Sequence, residues 1–304
     1  MKPLLFSIVV AGALLSPAFA QAPLPAPPPP PDSEGAPPPA PPQVAQSYAP
    51  QELDRIVSPI ALYPDPLLAQ VLTAATFSPD IPDAAQWSDQ HHYVPPAQLP
   101  AAMAADHLAW QPSVQALLPF PQVLGMMASD MPWTEELGAA FLWSPQQVMD
   151  AVQRQRRAAY GYGYLRTNGQ VVVNNGPNIE VLPVDPAFVV VPYYNPAVVF
   201  VAPRPGFFVG GAIRFGYGVR LGVAFAPWGW GTTGFGWGER VVIVNGAPWR
   251  RTWVNRAVYA HPFATVPRYR AVPRAEEHHV VHGRSERERA AERDGRRQNE
   301  EHGR

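Results

Sequence analysis

The chain has 304 residues and no cysteine, which excludes disulfides, thiolate catalysis and a lipid anchor on cysteine. Its formal net charge of −1 hides a segregation: residues 51–150 hold eleven acids against Arg55 alone, a balance of −10, and residues 151–273 hold thirteen Arg against Glu180, Asp185 and Glu239, a balance of +10. The change of sign near residue 151 argues for a division of the chain there.

Residues 1–20 carry Lys2, an apolar run from Leu4 to Leu15 and the ending Ala18-Phe19-Ala20. This is the pattern of a cleaved secretory signal, so the expectation is an exported protein of the periplasm or cell envelope. The run is shorter than the ~20 residues of a membrane span, so no integral span is expected after cleavage. Residues 21–50 are rich in Pro and Ala, with Pro27 to Pro31 unbroken, which favours a semi-rigid polyproline spacer.

An acidic helical domain is expected over 51–160. Leu53, Ile56, Val57 and Ile60 share one helix face, and Asp65-Pro66 reads as an N-cap followed by proline at the first helical position. Leu67, Leu68, Val71, Leu72 and Ala75 then form one apolar stripe. Further short helices are predicted around Ala84 to Trp87, Ala97 to Ala109, Pro112 to Leu118, Pro121 to Ala128 and Thr134 to Leu142. Ser144-Pro145-Gln146-Gln147 reads as a capping box for the last helix, with Val148 and Val152 inward and Arg154 to Arg157 at its outer end.

A basic, Gly- and aromatic-rich β region is expected over 161–272. Val171 to Gly176 and Val241 to Gly246 each run a β-branched stretch into Asn-Gly, a hairpin signal. Strands also fit Ile179 to Leu182, Phe188 to Val191 and Val198 to Val201. From Ile213 to Phe225 large apolar residues alternate with a face of Arg214, Arg220 and small residues, which reads as a strand or hairpin. Residues 273–304 are charge-mixed and expected to be disordered or a solvated helix. The fold class is therefore α+β: a compact all-α domain of short helices, then a small antiparallel β region.

Several long motifs follow one another in order: Ser58 to Leu72 (SPIALYPDPLLAQVL), Ala84-Ala85-Gln86-Trp87, Trp110 to Val114, Trp133 to Gly138, and Gln147 to Gln153. Together they closely resemble the exported bacterial family called domain of unknown function 3300. The resemblance runs from about residue 51 to 203 and ends in Pro192-Tyr193-Tyr194-Asn195-Pro196. It implies no activity, cofactor or catalytic residue, so no site carries over from it.

Candidate sites must come from the residues. Asp130, Glu135 and Glu136 beside Trp133 suggest paired carboxylates for glycan cleavage, although the same acids suit a helix start. His278 and His282 stand four apart, but no second pair supports a metal, and neither metal nor other cofactor is expected. The stronger candidates for binding are Arg214, Arg220, Trp228, Trp230, Trp237, Arg240, Trp249, Arg250 and Arg251. Arg with Trp can grip phosphates and stack on sugars, although the same tryptophans suit the core of a Gly-rich sheet. The expected function is a non-enzymatic envelope scaffold or binding protein, with an anionic envelope polymer or an envelope protein as partner and no nucleic acid. An enzyme acting on cell-wall glycan is the alternative. The opposed charges also predict an acidic-to-basic contact within the chain, and the change of period predicts that residues 48–160 fold alone.

Overall fold

Proline stands at the first or second position of every α-helix among the described residues. The computed structural model describes residues 48–206, 210–216 and 218–259, so the signal, most of the spacer and the charged tail lie outside the described residues. Within them α1 (Pro50–Val57), α2 (Asp65–Ala75), α3 (Ile81–Gln90), α4 (Leu99–Ala105), α5 (Pro112–Gln115), α6 (Pro121–Ser129), α7 (Met131–Trp143) and α8 (Pro145–Gly161) follow in order. Each has proline at its first or second position, where the missing N–H is unpaired in any helix. Asp130 caps α7 by accepting from the N–H of Trp133 at 3.1 Å. Ser144 precedes α8, but its hydroxyl makes no capping bond, contrary to the capping-box expectation.

Helix α2 lies at the centre, with ten of its eleven residues buried. One apolar stripe was predicted; both faces are covered because α7 and α5 pack on one side and the β region supplies the other cover.

The β region begins with the hairpin of β1 (Val171–Asn175) and β2 (Ile179–Pro183), in which Asn175 pairs with Ile179. The turn is thus Gly176-Pro177-Asn178 rather than Asn-Gly. Next come β3 (Phe188–Val189) and β4 (Pro192–Tyr194), then α9 (Pro196–Val199), β5 (Ile213–Phe215) and β6 (Val219–Arg220). Strand β3 pairs with β6 and β4 with β5, so residues 188–194 run antiparallel to 213–220 as an interrupted ribbon. The long alternating stretch stops as a strand at Gly222, whose φ of 56° turns the chain into a 3-10 helix over Val223–Trp228. Its small-residue face has a packing cause: a Cβ on Gly218 would lie 2.4 Å from the Phe188 ring. The segment Val198 to Val201, expected as a strand, instead enters α9, because Asn195 accepts from the N–H of Ala197 and Pro196 opens the helix.

The last sheet orders β7 (Gly234–Gly236), β8 (Val241–Val244) and β9 (Ala247–Pro248) side by side, all antiparallel. Here the Asn-Gly signal is realised: Asn245 and Gly246 have φ of 50° and 72°, as a two-residue hairpin turn requires. The class is α+β.

Packing passes across residue 160 in two places. The main core joins Leu67, Leu72, Phe120 and Phe141 to Val191, Phe225, Trp228, Trp230, Trp237 and Trp249. A second core joins Leu62 and Ala159 to Leu165, Val171, Ile179 and Val190. No helix among the described residues is long and apolar enough to cross a membrane.

Candidate anion-binding cleft

The four tryptophans proposed as binding surfaces are buried, although Trp249 and Trp237 each still border a cavity. Trp228, Trp230, Trp237 and Trp249 are each 6 % exposed or less. Trp228 Nε1 donates to Gln115 Oε1 at 3.1 Å, Trp230 Nε1 to the Ala116 carbonyl at 2.8 Å, and Trp237 Nε1 to Asp65 Oδ2 at 2.9 Å. Gln70 Nε2 in turn donates to the Trp228 carbonyl at 3.1 Å. A large aromatic with one polar atom fills a core once that atom finds an acceptor, and the helices supply the acceptors here.

The candidate arginines separate into two places. Arg214 on β5 is exposed opposite Tyr193. Arg220 on β6 pairs with Asp185 at 3.1 Å, lies over the Phe188 ring and borders a small cavity with His91 and His92. Neither reaches the other three. Arg240, Arg250 and Arg251 converge with Glu239 on a cleft of about 500 Å³. Its apolar lining includes Val241 and Ile243 of β8, Pro248 of β9, Trp249, and Phe141 and Pro145 where α7 gives way to α8.

Each arginine of the cleft is held differently. Arg240 Nε donates to Asp150 Oδ1 at 2.7 Å, with both side chains about half exposed (51 % and 44 %). The Arg251 guanidinium lies 3.7 Å from the Phe77 ring centre and donates to the carbonyls of Thr76 and Arg256. Burial, and then the positive charge of Arg256, hold Arg251 below its usual pKa. Arg250 is exposed, its backbone N–H donating to the Tyr259 hydroxyl at 3.0 Å. Among the described residues no carboxylate forms an ion pair with Arg250 or Arg251.

The carboxylates of the glycan-cleaving alternative have partners of their own. Asp130 caps α7, and Glu136 accepts two hydrogen bonds from Arg55, at 2.6 and 2.7 Å. Glu135 is exposed. No group of three or more His, Asp or Glu side chains among the described residues is arranged to hold a metal ion.

The motif residues build a buried polar junction that sequence reasoning missed. Arg156, expected at the outer end of α8, is fully buried. Its Nη1 donates to Asp65 Oδ1 at 2.6 Å and to the Ile179 carbonyl at 2.9 Å, Nε donates to Ala61 at 2.8 Å and Nη2 to Tyr63 at 2.8 Å. Asp65 is therefore not the N-cap but the first helical residue and the counter-ion of Arg156, and it also accepts from the Val181 N–H. Burial pushes the Asp65 carboxyl upward, while Arg156 and Trp237 pull it back. Nearby, the Tyr194 hydroxyl donates to the Ser58 carbonyl at 2.9 Å and accepts from the Leu62 N–H at 3.2 Å, tying the Pro-Tyr-Tyr-Asn-Pro element to the turn after α1. A signal was present: Val148, Val152 and Arg156 are spaced by four and share the inward face of α8.

The family model described as protein of unknown function DUF3300 matches residues 49–261. The chain belongs to this family. The DUF3300 match continues past residue 203, about where the motif resemblance ended, and so takes in Trp228, Trp230, Trp237 and the whole three-stranded sheet. That extent agrees with the shared core, in which these tryptophans complete the helical part. This DUF3300 chain is also similar to the uncharacterized protein YacH of Escherichia coli (strain K12), 33% identical over 199 residues. The match covers 54% of this chain and 32% of YacH, so it spans about a third of that relative. No solved structure matches the chain.

Proposed function

We propose that this DUF3300 chain is an exported, non-enzymatic envelope protein that binds an anionic envelope polymer in the cleft bordered by β8, β9 and the start of α8. The observation that carries the reading is the convergence of Arg240, Arg250 and Arg251 on one apolar-walled cleft whose lining contains a single carboxylate, Glu239. Guanidinium groups bind phosphate and carboxylate through paired N–H donors, and apolar walls strengthen the attraction by excluding water. Export rests on the signal-like residues 1–20.

The test is titration of the chain lacking residues 1–20 against purified lipopolysaccharide at several salt concentrations. Binding that weakens steeply from low to physiological ionic strength, where the Debye length is ~8 Å, is the expected result. Arg250→Ala should weaken it further. Salt-independent binding, or none at low ionic strength, would show that these arginines serve the fold alone. Cell fractionation tests the compartment, and a mature N-terminus at Gln21 is expected.

A further inference from the structure

Arg240 borders a second cavity. Beside the cleft lies a polar pocket of about 370 Å³ lined by Asp150, Arg154 and Arg157 of α8, Asn178 of the β1–β2 turn, Gly238 and Arg240. Arg240 thus lines both spaces.

Three features bear on what Arg240 does there. The backbone of Arg240 has φ 52°, in the left-handed region that Gly and Asn occupy with less strain than Arg. A residue with a long cationic side chain stands where the turn geometry favours a small one. Next, Arg240 is steadied by Asp150 and Arg154 by Asp54, at 2.7 Å each, with all four side chains partly exposed. Exposed pairs of this kind are weak enough for a phosphate to replace one carboxylate. Last, Arg157 is exposed, and among the described residues its guanidinium reaches only the Pro177 carbonyl, at 3.5 Å. Counting both linings, five arginines face two carboxylates, Asp150 and Glu239.

We infer that the cleft and the polar pocket are two adjoining anion subsites joined by Arg240, and that the ligand is a linear polymer carrying successive phosphoryl groups rather than a single small anion. The inference rests on the reading that the cleft binds an anion, and extends it to residues of α8. A chain of phosphoryl groups entering at Arg250 crosses Arg240 and ends at Arg154 and Arg157. Binding in the second subsite is then intramolecular, and affinity rises by far more than one extra contact supplies.

The experiment is calorimetric titration of the chain lacking residues 1–20 with inorganic phosphate, tripolyphosphate and long-chain polyphosphate at low salt. Expected is weak binding of phosphate and binding of polyphosphate roughly a hundredfold tighter per chain end, as linked subsites give. Arg157→Ala should remove most of that gain and weaken phosphate binding in the polar pocket, while the cleft of Arg250 and Arg251 still binds phosphate weakly. Arg240→Asn should remove the gain too and, by relaxing the turn, raise the melting temperature. Phosphate that binds as tightly as polyphosphate, or an Arg157→Ala chain with the full gain, would overturn the two-subsite inference and leave the proposed function standing. Failure of all three probes to bind would overturn the proposed function itself. An Arg240→Asn chain that melts lower would assign Arg240 to the fold. Binding to phosphatidylglycerol vesicles without binding to free polyphosphate would place the phosphates on a lipid surface and overturn the linear-polymer reading.

Discussion

Trp237 Nε1 donates to Asp65 Oδ2 at 2.9 Å across 172 residues of sequence, and the Arg156 guanidinium lies 5.1 Å from the same indole ring. One carboxylate therefore answers a helix, a hairpin and a sheet together. Among the described residues three ion pairs link the acidic segment to the basic one, Asp54 with Arg154, Asp65 with Arg156 and Asp150 with Arg240. Only the second is buried.

Trp237→Phe keeps an aromatic ring but deletes the donor together with the volume of the indole's five-membered ring. Leaving a buried carboxylate oxygen without its partner costs about 1–3 kcal/mol, so the denaturant midpoint should fall while the slope is unchanged. Arg156→Met removes the counter-ion of buried Asp65, which keeps only its hydrogen bonds from Trp237 and Val181, and should cost about 3–5 kcal/mol. Combined with Asp65→Asn, the loss should be smaller than the sum of the two single changes. Strict additivity in that double-mutant cycle would show that the pair is not coupled.

Residues 48–160 were expected from sequence to fold alone. Expressed by themselves they lose Trp228, Trp230 and Trp237, which leaves Gln115, the Ala116 carbonyl and Asp65 without their donors. The fragment should retain helical circular dichroism but melt well below residues 48–259, and without a sharp transition. Equal melting temperatures would show that the two segments fold independently.

Two helical glycines should respond with opposite sign to alanine. A Cβ on Gly138 of α7 would lie 2.1 Å from the Ala75 carbonyl oxygen, so Gly138 lets α7 cross the end of α2. Gly138→Ala must push these backbones apart and should cost about 3 kcal/mol or more. Gly125 of α6 is exposed with nothing within 4 Å of its added Cβ. Gly125→Ala should stabilise by about 0.5–1 kcal/mol through helix propensity alone. Thermal melts of the two variants check both signs.

The β8–β9 turn offers a local test. Asn245 at φ 50° tolerates glycine, so Asn245→Gly should stay within about 0.5 kcal/mol of the parent. Asn245→Val places a β-branched residue in the left-handed region and should cost about 1–2 kcal/mol. A valine variant as stable as the parent would mean that the turn changes type at little cost.

Local chemistry alone determined much of this protein. Proline at helix starts, the alternation around Arg214 and Arg220, the Asn245-Gly246 turn and the α+β class follow from preferences of adjacent residues, and so they are legible in one dimension. Partners distant in sequence are not. Asp65-Pro66 reads as a helix start in isolation, and only the return of α8 and β7 makes Asp65 a buried counter-ion. Arg154 and Arg156 stand two residues apart, yet Arg154 reaches Asp54 near the surface and Arg156 is buried, because the helix turns one outward and the other beneath β2. The tryptophans showed an aromatic-rich segment, but whether their faces met solvent depended on acceptors in helices more than a hundred residues away. The cleft arose the same way: Arg240, Arg250 and Arg251 were visible as charges, and their meeting with α8 depended on the packing that buries Trp237 and Trp249 beneath them.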